Sequence, residues 1–75
     1  MADILIAEDE DVLRRNLTFI LNSSGYSAVS SRTSVEAIEL LKKKHFDVVI
    51  TDLIMPVKGG GELIKYISEH CHGTS

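Results

Sequence analysis

The chain has 75 residues, which is enough for one small domain. Its composition, with 44% hydrophobic and 25% charged residues, is ordinary for a globular protein and argues against disorder or a fibrous repeat. The net charge of −3 argues against electrostatic binding to nucleic acid or to an anionic membrane surface.

Three short segments have the composition of buried strands: residues 4–7, 26–30 and 46–51. The first and third are continuous apolar runs, which is typical of inner strands of a parallel sheet. The second has fewer apolar residues and alternates, which favours an edge position.

The segments between the strands have apolar residues spaced as on one face of a helix. In the first helix the predicted apolar stripe is Leu13, Leu17, Ile20 and Leu21. Gly25 is expected to end this helix in a left-handed conformation. The second helix should begin near Thr33, whose spacing to Glu36 matches a capping box.

The second helix is predicted to bury Val35, Ile38 and Leu41. The third should run from about residue 61 to residue 70, with Leu63, Ile64 and Ile67 inward. The order β-α-β-α-β-α predicts an α/β fold with parallel strands joined by right-handed crossovers.

Acidic residues follow two of the predicted strands. Glu8 and Asp9 follow the first, and Asp52 ends the third. Since ligands bind at the carboxyl ends of strands in such sheets, these carboxylates should converge. Glu10 and Asp11 are interpreted as residues that favourably meet the positive end of a helix dipole.

Close carboxylates repel, so the cluster either retains a proton or holds a cation. Oxygen ligands of this kind suit Mg²⁺, and a carboxylate beside the metal can act as a nucleophile toward phosphorus. The alternative is that the acids serve only as helix-start and turn residues. Spacing alone leaves both interpretations open.

Segments 4–10 (ILIAEDE) and 47–56 (DVVITDLIMP), together with Gly60, resemble the receiver domain of two-component response regulators. The resemblance covers the chain to about residue 69. It implies a partial flavodoxin-like (βα)3 sheet, half of a receiver fold, in a cytoplasmic signalling module that is not an enzyme. A lone cysteine, Cys71, and the absence of a signal peptide or a membrane-length apolar run fit that location.

The resemblance also implies roles for individual residues. Asp52 would be the phosphoacceptor, with Asp9 a direct Mg²⁺ ligand and Glu8 acting through water. The backbone carbonyl of Ile54 would supply a further ligand. The remaining residues of the motif would shape the adjoining loop and its turn into the third helix: Met55, Pro56 and Gly60. The phosphoryl group would come from a sensor histidine kinase or a histidine phosphotransfer protein.

The chain departs from the family by ending after three of five β/α units, so the family's Ser/Thr and Lys have no counterpart. We expect residues 1–69 to form a truncated receiver domain and residues 70–75 a disordered tail. The third strand, with Val48, Val49 and Ile50, should present an open edge that favours a homodimer or a domain-swapped oligomer. The alternative function is therefore a phosphorylation-independent half-receiver for dimerisation or protein interaction.

Overall fold

Strands and helices alternate along the chain in the predicted order. The computed structural model describes residues 2–51, 60–71 and 73–74, with the backbone alone at residues 60–62 and 64. The strands are β1 (Asp3–Ala7), β2 (Ser27–Ser31) and β3 (Val48–Thr51). The helices are α1 (Asp11–Ser23), α2 (Ser34–Lys43) and α3 (Gly60–His70). None of the described helices is long and apolar enough to cross a membrane.

The described strands form one parallel sheet in the order β2-β1-β3. β1 is central, and its residues from Ile4 to Ala7 are all buried, as its apolar run predicts. β2 lies at an edge, which confirms the interpretation of its alternating sequence. β3 forms the other edge of the described sheet, where Ile50 remains 37% exposed.

Both outer strands begin later than their sequences suggest. The Tyr26 N–H donates to the carbonyl of Leu21 at 3.1 Å, so Tyr26 closes the end of α1 instead of opening β2. Phe46 precedes β3 and is 1% exposed. The predicted starts at residues 26 and 46 were therefore early, because apolar content does not separate a strand from a buried turn.

The main core lies on one face of the sheet. It consists of Leu5, Ala7, Ala37, Leu41, Phe46 and Leu63. Leu63 is fully buried and Ile67 packs against this cluster, which confirms the inward face predicted for α3 at these positions. The side chain of Ile64 lies outside the described residues. Ile4 and Ile6 alternate onto the opposite face, where α1 contacts β1 and β2.

The buried face of α1 differs from the predicted stripe. Leu17 and Leu21 are half-buried, but Leu13 is 43% and Ile20 56% exposed. The inward residue at the start of the helix is Arg14, which is 7% exposed. The prediction was wrong at Leu13 and Ile20 because the apolar arc of α1 is wider than the surface that β1 and β2 cover.

Gly25 ends the first helical unit as predicted. Its φ of +93° lies in the left-handed region, and its N–H donates to the Asn22 carbonyl at 3.3 Å. Nothing lies within 4 Å of the position a Cβ would take. The backbone conformation alone therefore favours glycine here.

The start of α2 confirms the predicted capping box, with one change. The Thr33 hydroxyl accepts from the Glu36 N–H at 3.1 Å, while the Glu36 carboxylate accepts from the Arg32 N–H at 2.7 Å. The reciprocal bond therefore reaches one residue further back than in the simple motif.

The buried face of α2 is formed by Ser34, Ala37 and Leu41, with Ile38 half-buried. Val35 is 47% exposed, so its predicted burial was wrong. Ser34 and Ala37 are both fully buried, and Val35, about 100° around the helix from Ser34, lies outside this inward face.

The residues after α3 contact the body of the protein. Cys71 is a half-buried free thiol packed against the core, and the Thr74 hydroxyl donates to the Phe46 carbonyl at 2.6 Å. The division at residue 69 and the disorder of the tail stay predictions.

Candidate functional site

The carboxyl ends of β1 and β3 lie side by side. Ala7 pairs with Thr51 in the parallel ladder, and each is the last residue of its strand. Glu8 follows Ala7 in the sequence, and Asp52 follows Thr51. The register therefore places the described ends of β1 and β3, which immediately precede Glu8 and Asp52 in the sequence, at the same edge of the sheet. Four predicted site residues lie outside the described residues: Asp52, Ile54, Met55 and Pro56.

Glu8 is an anchored residue with only 7% of its surface exposed. Its N–H donates to the Ser31 carbonyl at 3.1 Å, which ties the loop to the end of β2. Its carboxylate accepts from the Glu10 N–H at 3.0 Å. Asp9, by contrast, is exposed. The two predicted metal-binding acids thus differ in environment, one fixed and one accessible.

Glu10 caps the start of α1, in agreement with its predicted role. Its carboxylate accepts from the N–H groups of Val12 at 3.3 Å and Leu13 at 2.9 Å. These are two of the donors that a helix start leaves without intrahelical partners. Both carboxylate oxygens of Glu10 therefore take part in capping α1.

Arg14 is the residue of this region that the sequence analysis missed. One guanidinium nitrogen, Nη1, donates to the Glu8 carbonyl at 3.3 Å. The other, Nη2, donates to Asp11 Oδ1 at 2.6 Å. The hydrogen bond from Arg14, reinforced by its charge, holds the pKa of Asp11 below its usual value. The i, i+3 spacing of Asp11 and Arg14 was the available signal for this pair.

The donor chemistry of Glu8 and Asp9 fits a hard cation such as Mg²⁺. A carboxylate has several acceptor positions, so Glu8 can accept the Glu10 N–H and still hold a water molecule or a metal. Within the described ranges, no group of three or more His, Cys, Asp or Glu side chains is arranged so that it could hold a metal ion.

Gly60 is the first residue of α3, one residue before the predicted start. The predicted role of Gly60 in the loop that follows β3 stays a prediction. Residues 53–59 of that loop lie outside the described residues.

Comparisons with protein families, curated proteins and solved structures all find response regulators and their receiver domains. The family model for the response regulator receiver domain matches residues 4–75. The response regulator receiver protein CpdR of Brucella abortus is 35% identical over 69 residues, which is 92% of this chain and 58% of that protein. The chain thus spans less than two thirds of the length of this curated relative.

Two solved structures are similar in fold. The response regulator TrrA of Thermotoga maritima, determined in complex with Mg²⁺-BeF, matches with a TM-score of 0.87 and 30% identity, covering 95% of this chain and 62% of that one. TrrA in complex with the histidine kinase ThkA matches with a TM-score of 0.89 and 28% identity, covering 100% and 65%.

The parallel sheet with its helices therefore has the flavodoxin-like receiver fold, in partial form. Members of this family are signalling modules. The family model matches residues 4–75, which is nearly the whole of this chain. The chain therefore belongs to the response regulator receiver domain family.

Proposed function

We propose that this chain is a phosphoacceptor module of a two-component phosphorelay, taking a phosphoryl group on Asp52. The observation that carries the proposal is the parallel pairing of Ala7 with Thr51, the residues that immediately precede Glu8 and Asp52 in the sequence. Membership of the receiver family supports the same chemistry.

The proposed reaction is a displacement at phosphorus. A carboxylate oxygen of Asp52 forms a bond to phosphorus, and the bond between phosphorus and the imidazole nitrogen of the donor phosphohistidine breaks. The electron pair leaves with that nitrogen, which then binds a proton from solvent. An acyl phosphate on Asp52 is the product.

Glu8, Asp9, Asp52 and the backbone carbonyl of Ile54 are the proposed Mg²⁺ ligands. Bound there, the metal would neutralise the negative charge shared by the carboxylate and the phosphoryl group. Asp9 is exposed and suited to direct ligation, whereas the buried, hydrogen-bonded Glu8 suits contact through water. Met55, Pro56 and Gly60 are proposed to shape the adjoining loop.

The proposed donor is a sensor histidine kinase or a histidine phosphotransfer protein. Support comes from TrrA, a relative whose structure was solved in complex with the histidine kinase ThkA. We propose a cytoplasmic location and a role as acceptor without an enzyme activity toward other substrates.

Intact mass spectrometry tests the phosphoacceptor proposal. The chain is incubated with Mg²⁺ and acetyl phosphate, alongside Asp52→Asn and Asp47→Asn. We expect one phosphoryl adduct that requires both Mg²⁺ and Asp52 and persists in Asp47→Asn. Asp47 precedes β3 at the other end of the sheet, so its substitution controls for nonspecific modification. A folded protein that gains no adduct contradicts the proposal.

A second candidate function is that of a phosphorylation-independent half-receiver that pairs through β3. Within the described residues, β3 has a strand partner on one side only. The outer edge of β2, in contrast, is occupied at Ala28 by the Asn22 side chain. An uncovered edge strand favours pairing with a second copy of the chain, as a homodimer or by exchange of elements.

Sedimentation velocity tests this second candidate with matched variants. Ile50 on β3 and Val29 on β2 are 37% and 36% exposed, so a lysine at either position enters a comparable environment. We expect a dimer that Ile50→Lys dissociates and Val29→Lys preserves. A wild-type chain that sediments as a folded monomer contradicts pairing through β3.

A further inference from the structure

Arg14 bridges both sides of the loop that carries the acidic pair. The loop leaves β1 at Glu8 and enters α1 at Asp11, and the two ends of the guanidinium bind these two residues. The side chain of Arg14 is 8% exposed, whereas that of Asp11 is 60% exposed. A buried cation at a helix start opposes the helix dipole, so its position needs compensation from neighbouring anions and carbonyls.

From this bridge we infer that Arg14 is a positioning residue, which holds the Glu8–Asp11 loop in the conformation that presents Glu8 and Asp9 to Mg²⁺. The inference rests on the proposed metal-dependent function. A planar guanidinium can bind two acceptors in a fixed geometry, whereas an ammonium group acts as a point charge. The role therefore depends on the two-pronged geometry of the Arg14 guanidinium, which reaches two acceptors at once, as well as on its charge.

The loop contains a second hydrogen bond that depends on the same conformation. The Glu10 N–H donates to the Glu8 carboxylate at 3.0 Å, and this bond fixes the side chain proposed to face the metal. Arg14 binds the backbone carbonyl of the same residue, so main chain and side chain of Glu8 are held together. Replacement of the Arg14 guanidinium should therefore loosen both the main chain and the side chain of Glu8.

The direction in which Mg²⁺ affinity changes when Arg14 is replaced distinguishes a positioning role from a purely electrostatic one. A nearby cation repels Mg²⁺, so its removal should by electrostatics alone tighten binding. Loss of a residue that orients metal ligands should instead weaken binding, by about 10-fold or more. The two explanations thus predict opposite changes in the dissociation constant.

The experiment is an NMR titration of the full chain with Mg²⁺, using Arg14→Met, Arg14→Lys and the control Arg15→Met. Arg15 is the exposed neighbour with the same charge. We expect about 10-fold weaker binding for Arg14→Met and a similar loss for Arg14→Lys. Arg15→Met should bind as the wild type does or slightly more tightly.

Amide hydrogen exchange without Mg²⁺ supplies an independent measurement. In Arg14→Met we expect faster exchange at the Glu10 N–H and unchanged protection at Leu5 in the central strand. Unchanged protection at Glu10 would overturn the inference, and a folded Arg14→Met variant that binds Mg²⁺ equally well or more tightly would do the same. Wild-type affinity in Arg14→Lys would also overturn it, since charge alone would then suffice. A wild-type chain that fails to bind Mg²⁺ would instead overturn the proposed function itself.

Discussion

The side-chain amide of Asn22 hydrogen-bonds both backbone polar groups of Ala28. Its oxygen accepts from the Ala28 N–H at 2.9 Å, and its nitrogen donates to the Ala28 carbonyl at 3.3 Å. The side chain thereby takes the place that a neighbouring strand would occupy along β2. This arrangement blocks one edge of the sheet and joins α1 to β2.

We expect Asn22→Ala to lower the free energy of unfolding by about 1 kcal/mol, because two solvent-exposed hydrogen bonds are lost. Asn22→Asp should cost at least as much, since a carboxylate oxygen would then face the Ala28 carbonyl. Urea denaturation measures both. Asn16→Ala, on an exposed position of the same helix, is the control and should be neutral or stabilising. Equal stabilities for Asn22→Ala and wild type would contradict the edge-blocking role.

The two faces of α2 should respond very differently to truncation. Leu41 is 8% exposed and belongs to the core, whereas Val35 is 47% exposed. Leu41→Ala should cost about 2–4 kcal/mol of unfolding free energy by creating a cavity. Val35→Ala should change it by less than about 0.5 kcal/mol. Thermal or urea unfolding of the pair distinguishes this orientation from the predicted one, in which Val35→Ala would be costly.

Two ion pairs make stability depend on acid pH. The pKa of Asp3 is held below its usual value chiefly by a hydrogen bond from Lys44, and the pKa of Asp11 chiefly by one from Arg14. At a pH near the pKa values of these two aspartates, the unfolded chain binds more protons than the folded one. The free energy of unfolding therefore rises with pH in this range. The contribution is present above about pH 4 and is lost as the pH falls through the lowered pKa values.

Unfolding of the wild type and of Asp3→Asn/Asp11→Asn should therefore be followed from pH 2.5 to pH 6. We expect the double variant to lose less stability on acidification than the wild type does. The Asp11 side chain is 60% exposed and that of Asp3 is 34% exposed, so solvent screens both pairs; the difference should be small and should shrink in high salt. Identical pH profiles would show that these pairs do not contribute.

The two acids proposed to bind Mg²⁺, Glu8 and Asp9, should differ in how strongly their substitution weakens that binding. Asp9→Asn should weaken Mg²⁺ binding most, because Asp9 is proposed to be a direct charged ligand. Glu8→Gln should weaken it less, since Glu8 is proposed to act through water. Glu10→Gln removes the same charge at the same sheet edge but keeps an oxygen that can cap α1, so it should leave affinity near that of the wild type. Calorimetric titration with Mg²⁺ compares the three, and an equal loss for Glu10→Gln would point to net charge alone.

The turn after α1 supplies a test of backbone conformation. Gly25→Ala should destabilise the protein by about 1 kcal/mol, because alanine disfavours the φ of +93° at this position. The cost should not be larger, since no neighbouring atom would clash with the new methyl group. Gly25→Asn should cost less, since asparagine tolerates this region better. Thermal unfolding of both variants checks the order. A stabilised Gly25→Ala would contradict the conformation assigned here.

Local sequence signals were enough for the features that depend on adjacent residues. The alternation of strands and helices, the Thr33–Glu36 capping box and the left-handed Gly25 each follow from a short stretch of chain, and all were confirmed. The same holds for the receiver resemblance, which rests chiefly on two short motifs, residues 4–10 and 47–56, and the family match confirms it. Backbone preferences and hydrogen bonds across a few residues determine such features.

Tertiary structure decided which apolar residues are buried and how the acidic loop is held. The sequence predicts a helix with a broad apolar arc, but only contact with β1 and β2 selects Leu17 and Leu21 over Leu13 and Ile20. The same contact buries Arg14, whose bonds to Glu8 and Asp11 could not be deduced from periodicity. Periodicity is a property of one helix, whereas burial depends on the distance and size of neighbouring elements, and these exist only once the chain has folded.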